Sequence, residues 1–366
     1  MGKWEYLKTD ILSYKQEKER YNNMKILVTG TDGYIGSVLG PYLIKEGHQV
    51  TGIDTGFYRS GWLYNKNGTI QTYPSYISKD IRDIELEDLR GYEAVVHLAE
   101  LSNDPLGKLN PEITFKINHQ GSLRLAELSK QAGIQRFVYT SSCSVYGTGN
   151  DKYKTEESEV NPQTAYAECK TKVENDVSKL ADDSFSPAFL RNATVYGPSP
   201  RMRFDIVLNN LSGLAWTKGV IEMISDGMPW RPLVHIKDVC KAINCALVAP
   251  RETIHKQIFN VGDTKENFRV KEIAEIVGAA FPGCKTTFGD SGGDNRSYRV
   301  SFDKINSQLP GFSCDHNLEE GASELYQIYK KIDMTKEVFN DRPYTRLKQL
   351  KFLLGTHQLN DDLFWV

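Results

Sequence analysis

The chain lacks the features that mark secreted, membrane-spanning or nucleic-acid-binding proteins. Its six cysteines, at positions 143, 169, 240, 245, 284 and 314, form no CxxC pair and no metal-ligand spacing. Isolated cysteines of this kind are ordinarily reduced and buried, which argues against a disulfide scaffold or a zinc site. No apolar run approaches the ~20 residues of a spanning helix; the longest are residues 94–99 and 276–281. Lys3, Glu5, Lys8 and Asp10 fall where a signal peptide needs an unbroken apolar core. Neither sign of charge dominates. Lys and Arg number 45 against 47 Asp and Glu, a formal charge of −2, so nothing favours gripping a phosphate backbone or an anionic membrane. Low-complexity tracts and internal repeats are missing as well. The expectation is a cytoplasmic protein with neither a nucleic-acid nor a membrane partner.

What is present is a large α/β pattern. At about 150 residues per domain, 366 residues allow roughly two domains. Residues 1–23 read as an added amphipathic helix, with Trp4, Leu7, Ile11 and Tyr14 spaced by three and four. From Lys25 onward short apolar runs alternate with helical segments. Strand-like runs at 26–29, 49–53, 94–98, 136–140 and 186–190 are separated by helical stretches at 35–46, 113–132 and 164–181. Strands alternating with helices predict a doubly wound parallel (Rossmann) sheet covered on both faces. Beyond Arg191 the alternation weakens. This predicts a dinucleotide-binding domain over 24–191, completed by about 225–262, and a smaller, mostly C-terminal substrate-binding lobe from 192–224 and 263–366.

Two constellations carry chemistry. The first is a GxxGxxG loop, Gly30, Gly33 and Gly36, with Asp32, Tyr34 and Ile35 between its glycines. It lies where a strand gives way to a helix, so its backbone N–H groups can meet a pyrophosphate. About 20 residues on, Asp54 ends the second strand, where a carboxylate can hold both hydroxyls of an adenosine ribose and repel a 2′-phosphate. That favours NAD over NADP, with Arg59 as the counter-signal. Asp80 and Ile81 are placed to border an adenine.

The second constellation is Tyr166 and Lys170, one helical turn apart. A phenol is too weak an acid to serve as a base near neutrality unless a neighbouring ammonium favours the phenolate. The YxxxK string alone is nearly uninformative. Its weight comes from Ser142, which follows the apolar strand at 136–140 and so sits where parallel sheets bind ligands. For Ser141 and Ser144, local backbone hydrogen bonding is as good a reading as a substrate contact.

With these residues in order, the chain resembles the extended short-chain dehydrogenase/reductase family, in its group of NAD-dependent nucleotide-sugar epimerases and dehydratases. The resemblance runs from about Met24 to the C-terminus. It adds His97, Leu98 and Ala99, Asn118, Tyr146 and Gly147, Leu190 and Arg191, Tyr196 to Pro198, and the 231–238 segment from Arg231 to Asp238. It implies bound NAD held by the glycine loop, Asp54, Asp80, Ile81, Leu98, Ala99, Asn118, Tyr166 and Lys170. It implies that Tyr166 takes a hydroxyl proton, Ser142 polarises a ketone, and Lys170 holds the nicotinamide ribose. The implied substrate is a nucleoside-diphosphate sugar, contacted by Ser142, Cys143, Ser144, Asn192, Thr194, Arg201, Arg203, Arg231 and Arg299.

Arg231 and Arg299 are the better diphosphate candidates by resemblance. Arg201 and Arg203 fit a phosphate or a loop charge equally. Cys143 reads better as a small buried residue than as an acid, and His97, His235 and Glu100 as structural groups.

Departures bear on subtype. Family 4,6-dehydratases carry an Asp-Glu pair at Cys143 and Ser144, and decarboxylating relatives carry a Glu at Ser144, so both activities are disfavoured. Thr194 stands where most relatives have Asn. The expected activity is C4-centred epimerisation. The alternative is a 4-dehydrogenase or 4-keto-sugar reductase, and a non-catalytic dinucleotide sensor ranks last. A homodimer through the helices near 113–132 and 164–181 is also implied.

Overall fold

The computed structural model describes residues 21, 23–64, 72–102, 110–149, 152–291 and 296–366. The helix expected within residues 1–23 lies outside them, apart from its last positions. Seven strands form one wholly parallel sheet: β1 (Lys25–Thr29), β2 (Gln49–Asp54), β3 (Ser75–Ser78), β4 (Ala94–His97), β5 (Arg136–Ser142), β6 (Ser186–Asn192) and β7 (Ile258–Val261). Their spatial order is β7-β6-β5-β4-β1-β2-β3. The chain runs outward from β1 to β3, then restarts at β4 on the other side of β1. A crevice for ligands opens at that reversal, beyond the carboxyl ends of the strands. In the register, Thr29 sits beside both Ile53 and His97, and Ser142 beside Asn192.

The central strands are buried on both faces, as their continuous Val, Ile and Leu runs require. On one face lie α1 (Gly36–Lys45) and, further along the chain, a helix over Ile236–Val248. The other face is covered by α2 (Ser122–Gln131) and α3 (Ala165–Lys179). The stretch expected as one helix over 113–132 has three parts: Pro111–Thr114, a π-helical Phe115–Gly121, and α2. The π segment widens the helix where Asn118 turns inward, a feature periodicity alone does not reveal.

With Ile236–Val248 numbered α5, the second lobe packs around α4 (Val207–Lys218), α6 (Val270–Ala280) and α7 (Leu318–Lys331). Its own core joins Leu208, Leu211, Ile273, Val277, Leu325 and Tyr329. The packing departs from the expected division in one respect. Residues 263–366 do not all join this lobe: Val300, Phe302 and Ile305 bury against the sheet face with Phe259. Leu350 and Leu353 of α8 (Arg346–Gly355), followed by Leu359 and Leu363, join the opposite face with Ile53 and Phe57. A helical stripe specifies that a face will be buried, and the topology chooses which sheet buries it.

Helix α3 is fastened from below by a charged network. Glu174 pairs with Arg191 of β6 at 2.7 Å, and the Arg191 Nη1 donates to the Tyr146 hydroxyl, which donates in turn to Asn260. Both charged side chains are about 95% buried. Arg191→Leu would strand the Glu174 carboxylate without its partner. We expect this to cost about 3–5 kcal/mol of stability, measured as a lower urea midpoint at unchanged slope.

Candidate active site

The carboxyl ends of β1, β4, β5 and β6 open into a cleft of about 1300 Å³ between the sheet and the second lobe. Its floor at β1 is the glycine loop. Gly30 has φ +80°, and a Cβ there would fall 2.8 Å from the Ala99 nitrogen. A Cβ on Gly36 would fall 2.1 Å from the Gly30 carbonyl oxygen. The loop therefore closes onto β4 only with glycine at both positions. Gly30, Gly33, Tyr34, Ile35 and Gly36 all line the cleft. The Tyr34 hydroxyl donates to the Gly197 carbonyl at 2.7 Å, so this ring ties the loop to the second lobe.

Asp54 lies at the end of β2 and accepts from the backbone nitrogens of Asp32 (2.9 Å) and Gly56 (2.8 Å). Burial, with the Asp32 charge nearby, pushes its carboxyl up to about 6 despite those bonds. Asp32 is not among the residues lining the cleft, and its side chain pairs with Arg59 at 3.0 Å and with Arg201 at 3.5 Å. Arg59 also lies over the Tyr76 ring, so the counter-signal for a 2′-phosphate is engaged by Asp32. Asp80 and Ile81 line the cleft at β3, with Asp80 clasped by Arg82 at 2.9 Å. Leu98 and Ala99 border it at β4, their nitrogens directed to Thr29 Oγ1.

Ser142, Tyr166 and Lys170 all line the cleft beyond the end of β5. Ser142 ends the strand and its Oγ accepts from the Ser144 nitrogen at 3.1 Å. Thr164 caps α3 through the Ala167 nitrogen, placing Tyr166 in the first turn and Lys170 in the second. Lys170 is nearly fully buried, and its Nζ lies 5.3 Å from the Tyr166 ring centre. Nζ donates to the Thr140 carbonyl and lies 2.7 Å from Glu100 Oε2. Burial alone would press the Lys170 ammonium toward neutrality. Burial is the largest single influence, but Glu100 together with Tyr166 and Glu174 outweighs it, and Lys170 is held above the ordinary lysine range.

The remaining candidates divide. Ser144, Asn192, Thr194, Arg203 and Arg231 line the cleft. Ser144 Oγ and Asn192 Oδ1 are buried there without a hydrogen-bond partner among the described residues, a pair of polar atoms suited to a ligand. Arg203 pairs with Asp205 at 2.9 Å and reaches the Ser102 carbonyl.

Four candidates lie behind the lining. Asn118 is buried and holds the Leu101 backbone with both ends of its amide. Cys143 faces the Arg191 carbonyl at 3.1 Å, and burial raises its thiol far above its ordinary value, which suits the small buried residue expected. Arg201 donates to the carbonyls of Tyr58, Arg59 and Gly61, a loop anchor. Arg299 stacks over Tyr153 and Trp230. For these four the motif marks the right neighbourhood, while neighbouring backbone and aromatic groups take the side chain.

Sequence reasoning missed Arg346, Asp205 and Arg296, which also line the cleft. Arg346 lies in the C-terminal α8, over the Tyr58 ring, and burial together with Arg203 brings it down to about 10. Sequence distance hides such a residue. His97 is structural, bonded to Thr29 and Ser122 at 2.7 Å each, with burial pressing it down to about 3. The glycine cradle, the Asp54 carboxylate and the Tyr166–Lys170 pair fit a dinucleotide laid from β2 across β1 to β5.

The family model described as the NAD dependent epimerase/dehydratase family matches residues 26–262. UDP-glucose 4-epimerase of Mycolicibacterium smegmatis is 29% identical over 317 residues, 84% of this chain and 99% of its own. Protein CapI of Staphylococcus aureus is 30% identical over 243 residues, 62% of this chain and 70% of its own. Among solved structures, MoeE5 in complex with UDP-glucuronic acid and NAD superposes with a TM-score of 0.71 at 28% identity, covering 84% of this chain and 99% of that one. No helix among the described residues is long and apolar enough to cross a membrane.

Ionised Asp54 can accept from two ribose hydroxyls, and the protonated form loses part of that capacity. NAD affinity should therefore fall as pH drops below about 6, by up to about tenfold per unit. Calorimetric titration of NAD into cofactor-stripped protein on either side of that value checks this, and Asp54→Asn should bind weakly with a flat pH dependence.

Proposed function

The chain belongs to the NAD-dependent epimerase/dehydratase family, and from that premise we propose that it epimerises a nucleoside-diphosphate sugar through a 4-keto intermediate. NAD, when bound, supplies the centre that accepts a hydride from the sugar carbon and returns it. The glycine loop and Asp54 would hold its pyrophosphate and adenosine ribose. Tyr166 takes the proton of the C4 hydroxyl and gives it back on the return step. Ser142 hydrogen-bonds the same oxygen and polarises the ketone. Lys170 keeps its positive charge beside the phenol and would reach the nicotinamide ribose.

The observation that carries this reading is the set of neutral polar groups around Ser142 and Tyr166. Ser144 Oγ and Asn192 Oδ1 offer unpartnered bonds to a sugar, and the Cys143 thiol is buried and neutral. Eliminating water would need an acid for the leaving hydroxyl and a base for the adjacent proton. Positions 143 and 144 supply neither. Arg203, Arg231 and Arg296 on the second lobe side of the cleft are the candidates for the diphosphate.

Incubation with a panel of nucleotide hexoses and heptoses, followed by NMR of the products and by NADH absorbance, tests the reading. A stereoisomer formed without accumulating NADH is expected. A keto sugar formed with stoichiometric NADH would replace it with the 4-dehydrogenase reading. Tyr166→Phe should lower turnover by about 10²–10⁴-fold. Full turnover in that variant would remove Tyr166 from the chemistry.

A further inference from the structure

Lys170 has a buried anionic neighbour. Glu100, just beyond β4, exposes only about 2% of its side chain, yet it lines the cleft. Its Oε1 accepts from the Tyr139 hydroxyl, and its Oε2 lies 2.7 Å from Lys170 Nζ. That second contact is one of charge more than of aligned hydrogen bonding, since Glu100 Oε2 is buried without an aligned hydrogen-bond donor among the described residues. Burial raises the Glu100 carboxyl, and the Lys170 ammonium facing one oxygen and the Tyr139 hydroxyl donating to the other draw it back toward the ionised form.

We propose that Glu100 is a positioning residue that shares the Lys170 ammonium and thereby sets the proton affinity of Tyr166. The proposal deepens the reading of Tyr166 as proton acceptor and rests on it for its catalytic meaning. Without Glu100, Lys170 would present an uncompensated positive charge to the phenol and favour the phenolate strongly. With Glu100 the pair is nearly neutral, so Tyr166 holds its proton to higher pH. A protonated phenol is the form that can donate to a ketone oxygen, so Glu100 biases the site toward returning the proton to the keto sugar.

The other groups facing the pair leave this balance to Glu100. From β4 comes His97, which burial keeps neutral. From β5 comes Tyr139, held protonated by burial and by Glu100. On α3 itself, burial keeps Cys169 neutral, and Glu174 is already paired with Arg191. Across the cleft Arg203 is paired with Asp205. Glu100 is the acid in direct contact with Lys170 among the described residues.

The test is a pH titration of phenolate absorbance on the full-length protein, taken as the difference between each protein and its Tyr166→Phe counterpart. It requires no substrate. Glu100→Gln should move the Tyr166 midpoint down by about one pH unit or more, the effect of removing a charge several ångströms away. Glu100→Asp, whose carboxylate is withdrawn by one methylene, should give a smaller shift in the same direction. An unmoved or raised midpoint in Glu100→Gln overturns the proposal. Should that variant not fold, an unmoved midpoint in Glu100→Asp overturns it equally. A structural role alone would alter melting temperature without moving the midpoint. Failure of the epimerase reading registers separately, as Tyr166→Phe retaining sugar turnover.

Discussion

Helix α3 is held to the sheet by two buried ion pairs one turn apart, and the geometry of the site depends on them. Tyr166, Lys170 and Glu174 recur every fourth residue along one face. Lys170 reaches Glu100 beyond β4, and Glu174 reaches Arg191 on β6. The helix is thereby pinned across β5, the strand that ends in Ser142. Buried ion pairs contribute little net stability, because desolvation offsets much of their attraction. Their consequence here is registry: a helix that slid or rotated would leave two buried charges unpaired. That penalty holds α3, and with it Tyr166, in register against the sheet.

The same logic links the two lobes. Arg201 belongs to the second lobe in sequence, yet it donates to three carbonyls of the 58–61 loop and approaches Asp32 within the glycine loop. Tyr34 of the glycine loop reaches the opposite way, to Gly197 and Asn209. These crossed contacts join the sheet side of the cleft to the side of the second lobe. The C-terminal tail closes the arrangement, with Arg82 bonding the Asp362 carbonyl and Trp365 bonding that of Thr55. An arginine that looks like a phosphate ligand in sequence can thus serve as the bolt between lobes, since a guanidinium fork suits backbone carbonyls as well as phosphate oxygens.

Much of the architecture was legible because it rests on local rules. Continuous apolar runs identified the buried parallel strands, and helical spacing identified the helices that cover them. The glycine loop was readable because close approach of backbone to backbone admits only glycine at Gly30 and Gly36. Asp54 followed from its fixed distance along the chain, and Tyr166 with Lys170 from one helical turn. Ser142 followed from its place after an apolar strand.

The partners of those residues were decided by tertiary structure. Glu100 and Lys170 are 70 positions apart, and periodicity cannot say that a residue after β4 will neutralise a lysine on α3. Arg346 enters the cleft from the last helix for the same reason. Conversely, Asn118, Cys143, Arg201 and Arg299 carry suitable chemistry, but neighbours brought from elsewhere occupy their side chains. The sequence by itself determined the buried central strands, the glycine loop and the Ser142, Tyr166 and Lys170 constellation, because short-range sterics and helical geometry dictate them. Which charges face one another across the cleft was settled only by the folded chain, because electrostatic pairing depends on distance in space and burial, and neither is set by separation along the sequence.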